Sequence, residues 1–312
     1  MIENAKKVLK TNVNVAEGEK LAIIIDSTKR EAGELFYQAG KEIGAETVLI
    51  QFESSGKSGA EPPSIVADAM KNCDAALCIT EASISHTKAR IEAAKCNTRV
   101  ATMPGLTLDM LREGALTADY SDVKKNGNLL AKVLDEGKEV VIRTEGQTLT
   151  FSIDGRRSKA SNGLLVNPGD SGNLPSGETF IAPIEGTANG EIIIDGSIAD
   201  IGKVAQRVLL KIREGRLVEA EGAEGEELLR LLGDGNGRLV GEFGIGTNRA
   251  ARLTGTILED EKVYGTCHIA FGTNTSFGGT INAGIHLDAV TKTPEIYVDG
   301  KLIIAEGKIR IE

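Results

Sequence analysis

Apolar residues follow two rhythms along the first third of the chain. Leu21-Ala22-Ile23-Ile24-Ile25-Asp26 is an unbroken apolar run, the pattern of a parallel strand covered on both faces. Residues 29–43 place Leu35, Phe36, Ala39 and Ile43 on one side at helical spacing, and Gly44 marks the stop. Further strands are predicted at Glu46–Phe52, Ala75–Thr80 and Arg99–Met103, and helices at Ile2–Leu9, 62–71 and His86–Ala94. This alternation predicts βαβ units and an open parallel sheet. The turn after the first strand reads Asp26-Ser27-Thr28. It lacks the Gly-x-Gly-x-x-Gly of a dinucleotide fold, so dinucleotide binding is unsupported.

The pattern changes near residue 120. After a helix through Leu129–Leu134, short β-branched runs punctuated by Gly, Asn and Asp predict strands. They fall at Val140–Arg143, Leu149–Ile153, Glu191–Ile194, Arg238–Gly244, Thr266–Phe271 and Glu295–Val298, with helices expected at Ile198–Glu214 and Glu224–Leu232. The expected fold class is therefore α/β. An N-terminal parallel-sheet βαβ domain (1–120) precedes an α+β, mostly antiparallel domain (121–312).

Composition narrows the function. A length of 312 residues suits two domains. The net charge of −9 repels phosphate backbones, so no nucleic-acid partner is expected. The four cysteines are too few for a disulfide framework. The start of the chain lacks a signal-peptide pattern, and no apolar run approaches the roughly 20 residues of a membrane span. A soluble, cytoplasmic protein with no membrane partner is expected.

Two of the three histidines lie in the last fifty residues. Within a strand, residues two apart share a face, so His286 and Asp288 present an imidazole and a carboxylate side by side. Glu242, in Leu239-Val240-Gly241-Glu242-Phe243-Gly244, is a charge in an apolar run, expensive unless paired or coordinated. Glu178 precedes another apolar strand, and His268 lies in Thr266-Cys267-His268-Ile269-Ala270. Two Glu, two His and one Asp form a ligand set for zinc, cobalt or manganese. Asn248 follows as a candidate partner that would orient Glu242. Arg156, Arg157 and His86 read as turn and helix-start residues.

Asn173-Leu-Pro-x-Gly-Glu-x-Phe-x-Ala-Pro, Gly241-Glu-Phe-Gly-Ile-Gly-Thr-Asn, Asp260-Glu-Lys, Gly265-Thr-Cys-His-Ile-Ala-Phe-Gly and His286-Leu-Asp follow one another in an order that resembles the thermophilic metallo-aminopeptidases. Glu17-Gly-Glu-Lys-Leu-Ala-Ile-Ile-Ile and Ala45-Glu-Thr-Val-Leu-Ile are similar too. The resemblance implies hydrolysis of N-terminal peptide bonds by a homodimer acting on peptide substrates. It implies about two divalent ions on Glu178, Glu242, His268, His286 and Asp288. Glu242 and Glu261 are the candidate catalytic carboxylates, Glu261 from its place before the His268 strand, where it otherwise reads as a turn or helix-end acid. Two features depart from that family. Thr275 stands where it carries a Tyr, and His268 and His286 are only 18 positions apart, leaving Thr273–Ile281 a short loop. A second reading follows. His268, His286 and Asp288 are a two-histidine-one-carboxylate set that suits a single non-haem iron, and the chain is also similar to a ring-opening dihydroxypyridine dioxygenase on the same scaffold. A non-catalytic metal-binding relative is the third.

Overall fold

The computed structural model describes residues 1–311. Its strands are, in chain order, β1 (Lys20–Asp26), β2 (Glu46–Phe52), β3 (Ala75–Ile79), β4 (Arg99–Thr102), β5 (Glu139–Thr144), β6 (Gln147–Ser152), β7 (Lys159–Ser161), β8 (Ser171–Asn173), β9 (Glu178–Ile181), β10 (Asn189–Ile194), β11 (Ser197–Ile198), β12 (Gly202–Lys203), β13 (Val208–Arg213), β14 (Arg216–Ala220), β15 (Val240–Gly246), β16 (Cys267–Gly272), β17 (His286–Thr291), β18 (Glu295–Val298), β19 (Lys301–Ala305) and β20 (Lys308–Ile309). They form three sheets in an α/β fold of two compact units: Met1–Tyr120 with Gly163–Ser176, and Ser121–Asn162 with the chain from Gly177 onward.

The first unit holds a parallel sheet in the order β2-β1-β3-β4-β8. Leu21 to Asp26 are all buried, as a strand covered on both faces must be. Helix Arg30–Ile43 ends at Gly44 in the left-handed conformation, φ 90°. Thr87 caps helix Lys88–Lys95 through its side chain, which leaves His86 exposed and outside the helix. Residues 163–176 pack with this unit, although they lie within the span read as the second domain. The reason is the open edge of β4: Val100, Ala101 and Thr102 pair with Ser171, Gly172 and Asn173, satisfying backbone groups that would otherwise be unpaired.

In the second unit, an eight-stranded sheet (β14-β13-β10-β6-β5-β18-β19-β20) and a seven-stranded sheet (β12-β11-β17-β16-β15-β9-β7) share one apolar core. Phe151 of the first meets Phe243 of the second edge to face, with ring centroids 5.3 Å apart. The helix expected at Ile198–Glu214 is instead β11, β12 and β13. Along Val208–Arg213 burial alternates residue by residue, so the period is two, and pairing with β10 and β14 overrides the weak helical spacing. Helix Ala223–Leu232 forms where one was expected. Among the described residues no helix is long and apolar enough to cross a membrane.

Candidate metal centre

Four neighbouring antiparallel strands, β9, β15, β16 and β17, carry the site. Gly246 pairs with Glu178, Gly244 with His268, Glu242 with Ala270, Ala270 with Asp288 and Gly272 with His286. Residues paired across strands share a face, so this register brings Glu178, Glu242, His268, His286 and Asp288 out on one side. The alternating residues Phe243, Ile245, Cys267, Ile269, Phe271 and Leu287 enter the core. A β-bulge at Gly241 lets Val240 pair with Phe271 and face the core, while Glu242 faces the site. Missing side chains make room for the His268 ring and for the backbone that leads into β17. A Cβ at Gly244 would lie 2.1 Å from His268 Nε2, and one at Gly272 would lie 2.1 Å from the Ile285 carbonyl oxygen.

The five side chains form two overlapping groups that share Glu242. In each group the potential ligand atoms lie within 4.8 Å of one another: Glu178, Glu242 and His268 in one, Glu242, His286 and Asp288 in the other. His268 Nε2 stands 3.4 Å from both Glu178 Oε2 and Glu242 Oε1. His286 Nε2 stands 3.5 Å from Glu242 Oε2 and 3.6 Å from Asp288 Oδ1. Glu242 thus lies between the two rings.

The donor chemistry calls for a cation. The Thr273 carbonyl lies 2.8 Å from His286 Nδ1. A carbonyl only accepts, so Nδ1 carries the hydrogen, and in the neutral ring the Nε2 lone pair points at two carboxylates. That arrangement is repulsive unless a proton or a metal ion lies between. His268 presents the same Nε2 to Glu178 and Glu242, and its Nδ1 is buried without a hydrogen-bond partner. The charges around the two rings act in the same sense. Burial alone would lower both imidazoles, but Glu242 and its neighbours push His268 up to about 9, and Asp288 with Glu242 pushes His286 up to about 10. Burial raises Glu242, whereas His286 outweighs burial at Asp288 and lowers that carboxyl far below its usual range. Protons therefore stand where an ion would bind, below pH 9. Each group holds one histidine, so uptake of an ion at either should release about one proton, and the apparent affinity should climb about 10-fold per pH unit near neutrality. A pH-independent affinity, measured by calorimetry in two buffers of different ionisation enthalpy, would contradict this assignment.

Glu261 is the catalytic carboxylate expected from the sequence that lies outside both groups. It pairs with Lys262, and burial raises it to about 8. Lys262, which the sequence reading left unassigned, is fully buried with Nζ 2.7 Å from Glu178 Oε1. Burial would lower its pKa, but Glu178 and Glu261 more than reverse this. The only signal was the run Asp260-Glu261-Lys262, which reads as a solvated turn. Asn248 caps its own turn, Oδ1 accepting from Ala250 N and Ala251 N, and its backbone N–H donates to the Lys262 carbonyl at 2.9 Å.

The short loop after β16 is a built wall. Asn274 Oδ1 accepts from Ile281 N at 2.8 Å, Lys159 Nζ donates to the Ser276 carbonyl at 2.7 Å, and Glu185 accepts from Thr280 N at 2.7 Å. Arg156 holds the Gly278 carbonyl and Glu185, a role its turn position did not suggest, while Arg157 stays exposed beside Asp135. Thr275, at the position of the aminopeptidase Tyr, is exposed. The loop instead supplies Phe277, edge-on to Phe180 at 5.3 Å and to His286 at 6.1 Å. Neither phenylalanine stood out in the sequence.

Comparison with known proteins identifies the family. Residues 1–311 match the family described as NicX, 2,5-dihydroxypyridine 5,6-dioxygenase. The curated 2,5-dihydroxypyridine 5,6-dioxygenase of Pseudomonas putida is 27% identical over 165 residues, a stretch covering 47% of this chain and 47% of that protein. The match thus spans about half the length of that curated relative. The solved 2,5-dihydroxypyridine dioxygenase from P. putida KT2440 superposes with a TM-score of 0.83 at 18% identity, over 100% of this chain and 97% of that one. Wild-type AmpT from Thermus thermophilus gives 0.73 at 16%, over 99% and 98%. At these identities the two structures establish a shared fold and nothing more. The aminopeptidase expectation is therefore corrected: the motifs mark a shared scaffold, and the family that matches nearly the whole chain is a dioxygenase family and not a peptidase family. The chain belongs to the 2,5-dihydroxypyridine 5,6-dioxygenase family.

Proposed function

We propose that this protein is a non-haem iron dioxygenase that opens a hydroxylated nitrogen-containing aromatic ring, with 2,5-dihydroxypyridine the first substrate to test. The observation that carries the reading is the pair of imidazoles whose Nε2 atoms face Glu242, with Asp288 beside the second. His268, His286 and Asp288 supply two histidines and one carboxylate, a set that suits iron(II) with open positions; His268 belongs to one group and His286 with Asp288 to the other, joined by Glu242 between the rings. Iron(II) bound there would supply the one-electron chemistry that lets dioxygen react with a closed-shell ring.

The remaining tasks fall to the chain. The Thr273 carbonyl fixes the His286 ring and its tautomer, so Nε2 is presented to the ion. His268 is wholly buried whereas the His286 side chain is 31% exposed, so substrate would approach on the His286 side. There Phe277 and Phe180, both half-buried, offer an apolar aromatic wall against which a planar ring packs. The buried face around His268 and Glu242 keeps bulk water from the reacting centre. A homodimer, and the absence of a nucleic-acid partner given the charge of −9, are also proposed.

The test is reconstitution with iron(II) under argon, followed by air-saturated buffer and 2,5-dihydroxypyridine. The ring absorbance should disappear with one dioxygen consumed per ring, and protein loaded with cobalt, zinc or manganese should release nothing from a leucine anilide. Anilide hydrolysis without oxygen uptake would contradict the proposal.

A further inference from the structure

Among the described residues six strands end the three sheets, and each free edge offers N–H and C=O groups that another strand can take up. Five of these edges are blunted. β12 and β20 are two residues long, β7 and β8 three, and β14 carries Arg216 and Glu219 and pairs with β13 across a bulge. β2 has no such protection. Its seven residues run in unbroken register with β1, from Glu46 against Lys20 to Phe52 against Asp26. From Thr47 to Phe52 it carries no charge, proline or bulge, and Val48 in its middle is 49% exposed.

The backbone dictates what fits this edge. Glu46 N–H donates to the Glu19 carbonyl, so Glu46, Val48, Ile50 and Phe52 turn their polar backbone groups toward β1. Thr47, Leu49 and Gln51 turn theirs outward. A second β2, laid antiparallel about a two-fold axis at Val48, sets Thr47 of each copy opposite Leu49 of the other. Each of these two pairs exchanges two hydrogen bonds. The two Val48 side chains then meet at the axis, in the closer, non-hydrogen-bonded kind of pair, and cover each other.

Helix Arg30–Ile43 supplies charge complementarity in the same register. Gly33 stands against Leu49 and Gly40 against Thr47. An axis that exchanges positions 47 and 49 therefore brings Gly33 level with Gly40 of the other copy, and Glu34 level with Lys41 of the other copy. Both charged side chains are exposed, and seven positions apart they share one stripe of the helix. That stripe lies on the β2 side. Arg30, which belongs to it, reaches Gln51 at 2.6 Å and Glu34 at 3.7 Å, whereas Glu42 turns the other way to Lys6. An isologous contact makes each such pair twice.

We propose that β2 is the contact between two copies of this chain: an antiparallel pairing centred on Val48 that joins their five-stranded sheets into one, with Glu34 of each copy facing Lys41 of the other. The inference rests on the homodimer proposed above and says where its contact lies. It is independent of the reaction catalysed.

Sedimentation velocity over a wide range of protein concentration tests it. The wild type is expected as a dimer, or as a larger assembly with an even number of copies. Val48→Lys sets two like charges on the axis and should halve that mass, with circular dichroism unchanged because the side chain replaced is half exposed. Lys41→Glu sets acid against acid in both pairs and should weaken association at least about 10-fold at low salt, an effect that fades as salt is added. Glu34→Lys/Lys41→Glu restores opposite charges and should restore wild-type association. A wild type that is monomeric at every concentration, or an assembly of an odd number of copies, overturns the interface and the homodimer together. A folded Val48→Lys of unchanged mass, or a double variant that associates no more tightly than Lys41→Glu, overturns the interface and leaves the homodimer standing. Should Val48→Lys fail to fold, the charge exchange alone decides.

Discussion

His286→Ala and Asp288→Ala should leave a folded protein that has lost its metal. Partners that merely orient a metal ligand are worth about 10- to 100-fold in affinity, so removal of a ligand itself should weaken binding by at least about 100-fold. Oxygen uptake should fall to background in both. The fold should survive because neither side chain belongs to the core, which is built from the opposite face by Leu287, Ala289 and their neighbours. Loss of Asp288 also removes the carboxylate that pairs with protonated His286 in the metal-free protein, so the metal-free variant should be less stable than metal-free wild type near neutrality. Circular dichroism and thermal unfolding check the fold, and elemental analysis with an oxygen electrode checks the centre. A variant that keeps its iron and its oxygen uptake would remove His286 or Asp288 from the site.

The second large effect comes from a methyl group. Gly244→Ala puts a Cβ 2.1 Å from His268 Nε2 and 2.3 Å from Cε1. The ring must turn away from Glu242 and Glu178, and because it is wholly buried there is little room to turn. Overpacking of this kind costs about 1–3 kcal/mol, and the displaced imidazole should abolish oxygen uptake even where the protein still folds. Gly127→Ala is the counterpart. It lies within helix Tyr120–Glu136, and its new Cβ would meet Ala160 Cβ and Thr179 Oγ1 at 3.5 Å, an ordinary contact. Alanine there should stabilise by up to about 1 kcal/mol through helix propensity and leave activity alone. Equal losses in the two variants would refute the argument from space.

The contrast between these glycines shows what a sequence exposes and what it hides. His286-x-Asp288 was legible because strand geometry places alternate residues on one face, and Glu242 because a lone charge in an apolar run needs a partner. Gly244 in the same run was only a composition fact until the register set it opposite His268. Lys262 was hidden for a related reason: in Asp-Glu-Lys nothing local distinguishes a buried ammonium from a solvated one, and its burial depends on Gly246 and the bridge to Asn248. The parallel sheet of the first unit was readable from Leu21–Asp26, whereas its edge strand at Ser171–Asn173 comes from a segment too short to carry a period.

The reaction was the least legible feature. Glutamates, histidines and an aspartate at these spacings serve a hydrolase and an oxygenase alike, since a fold and its ligand positions do not determine the chemistry run on them. The departures were the better guide. The short Thr273–Ile281 loop and Thr275 in place of a tyrosine marked a change of surroundings, and in the structure that loop supplies Phe277 beside His286. An aromatic wall next to the ligands suits a ring more readily than a peptide amine.

The most direct measurement of the central claim is the origin of the oxygen atoms in the product. Iron-loaded protein turned over with 2,5-dihydroxypyridine under ¹⁸O₂ should give a ring-opened product carrying two labelled atoms by mass spectrometry, with unlabelled water contributing none beyond exchange. Label entering from H₂¹⁸O instead, with dioxygen unused, would contradict the account and return this centre to hydrolysis.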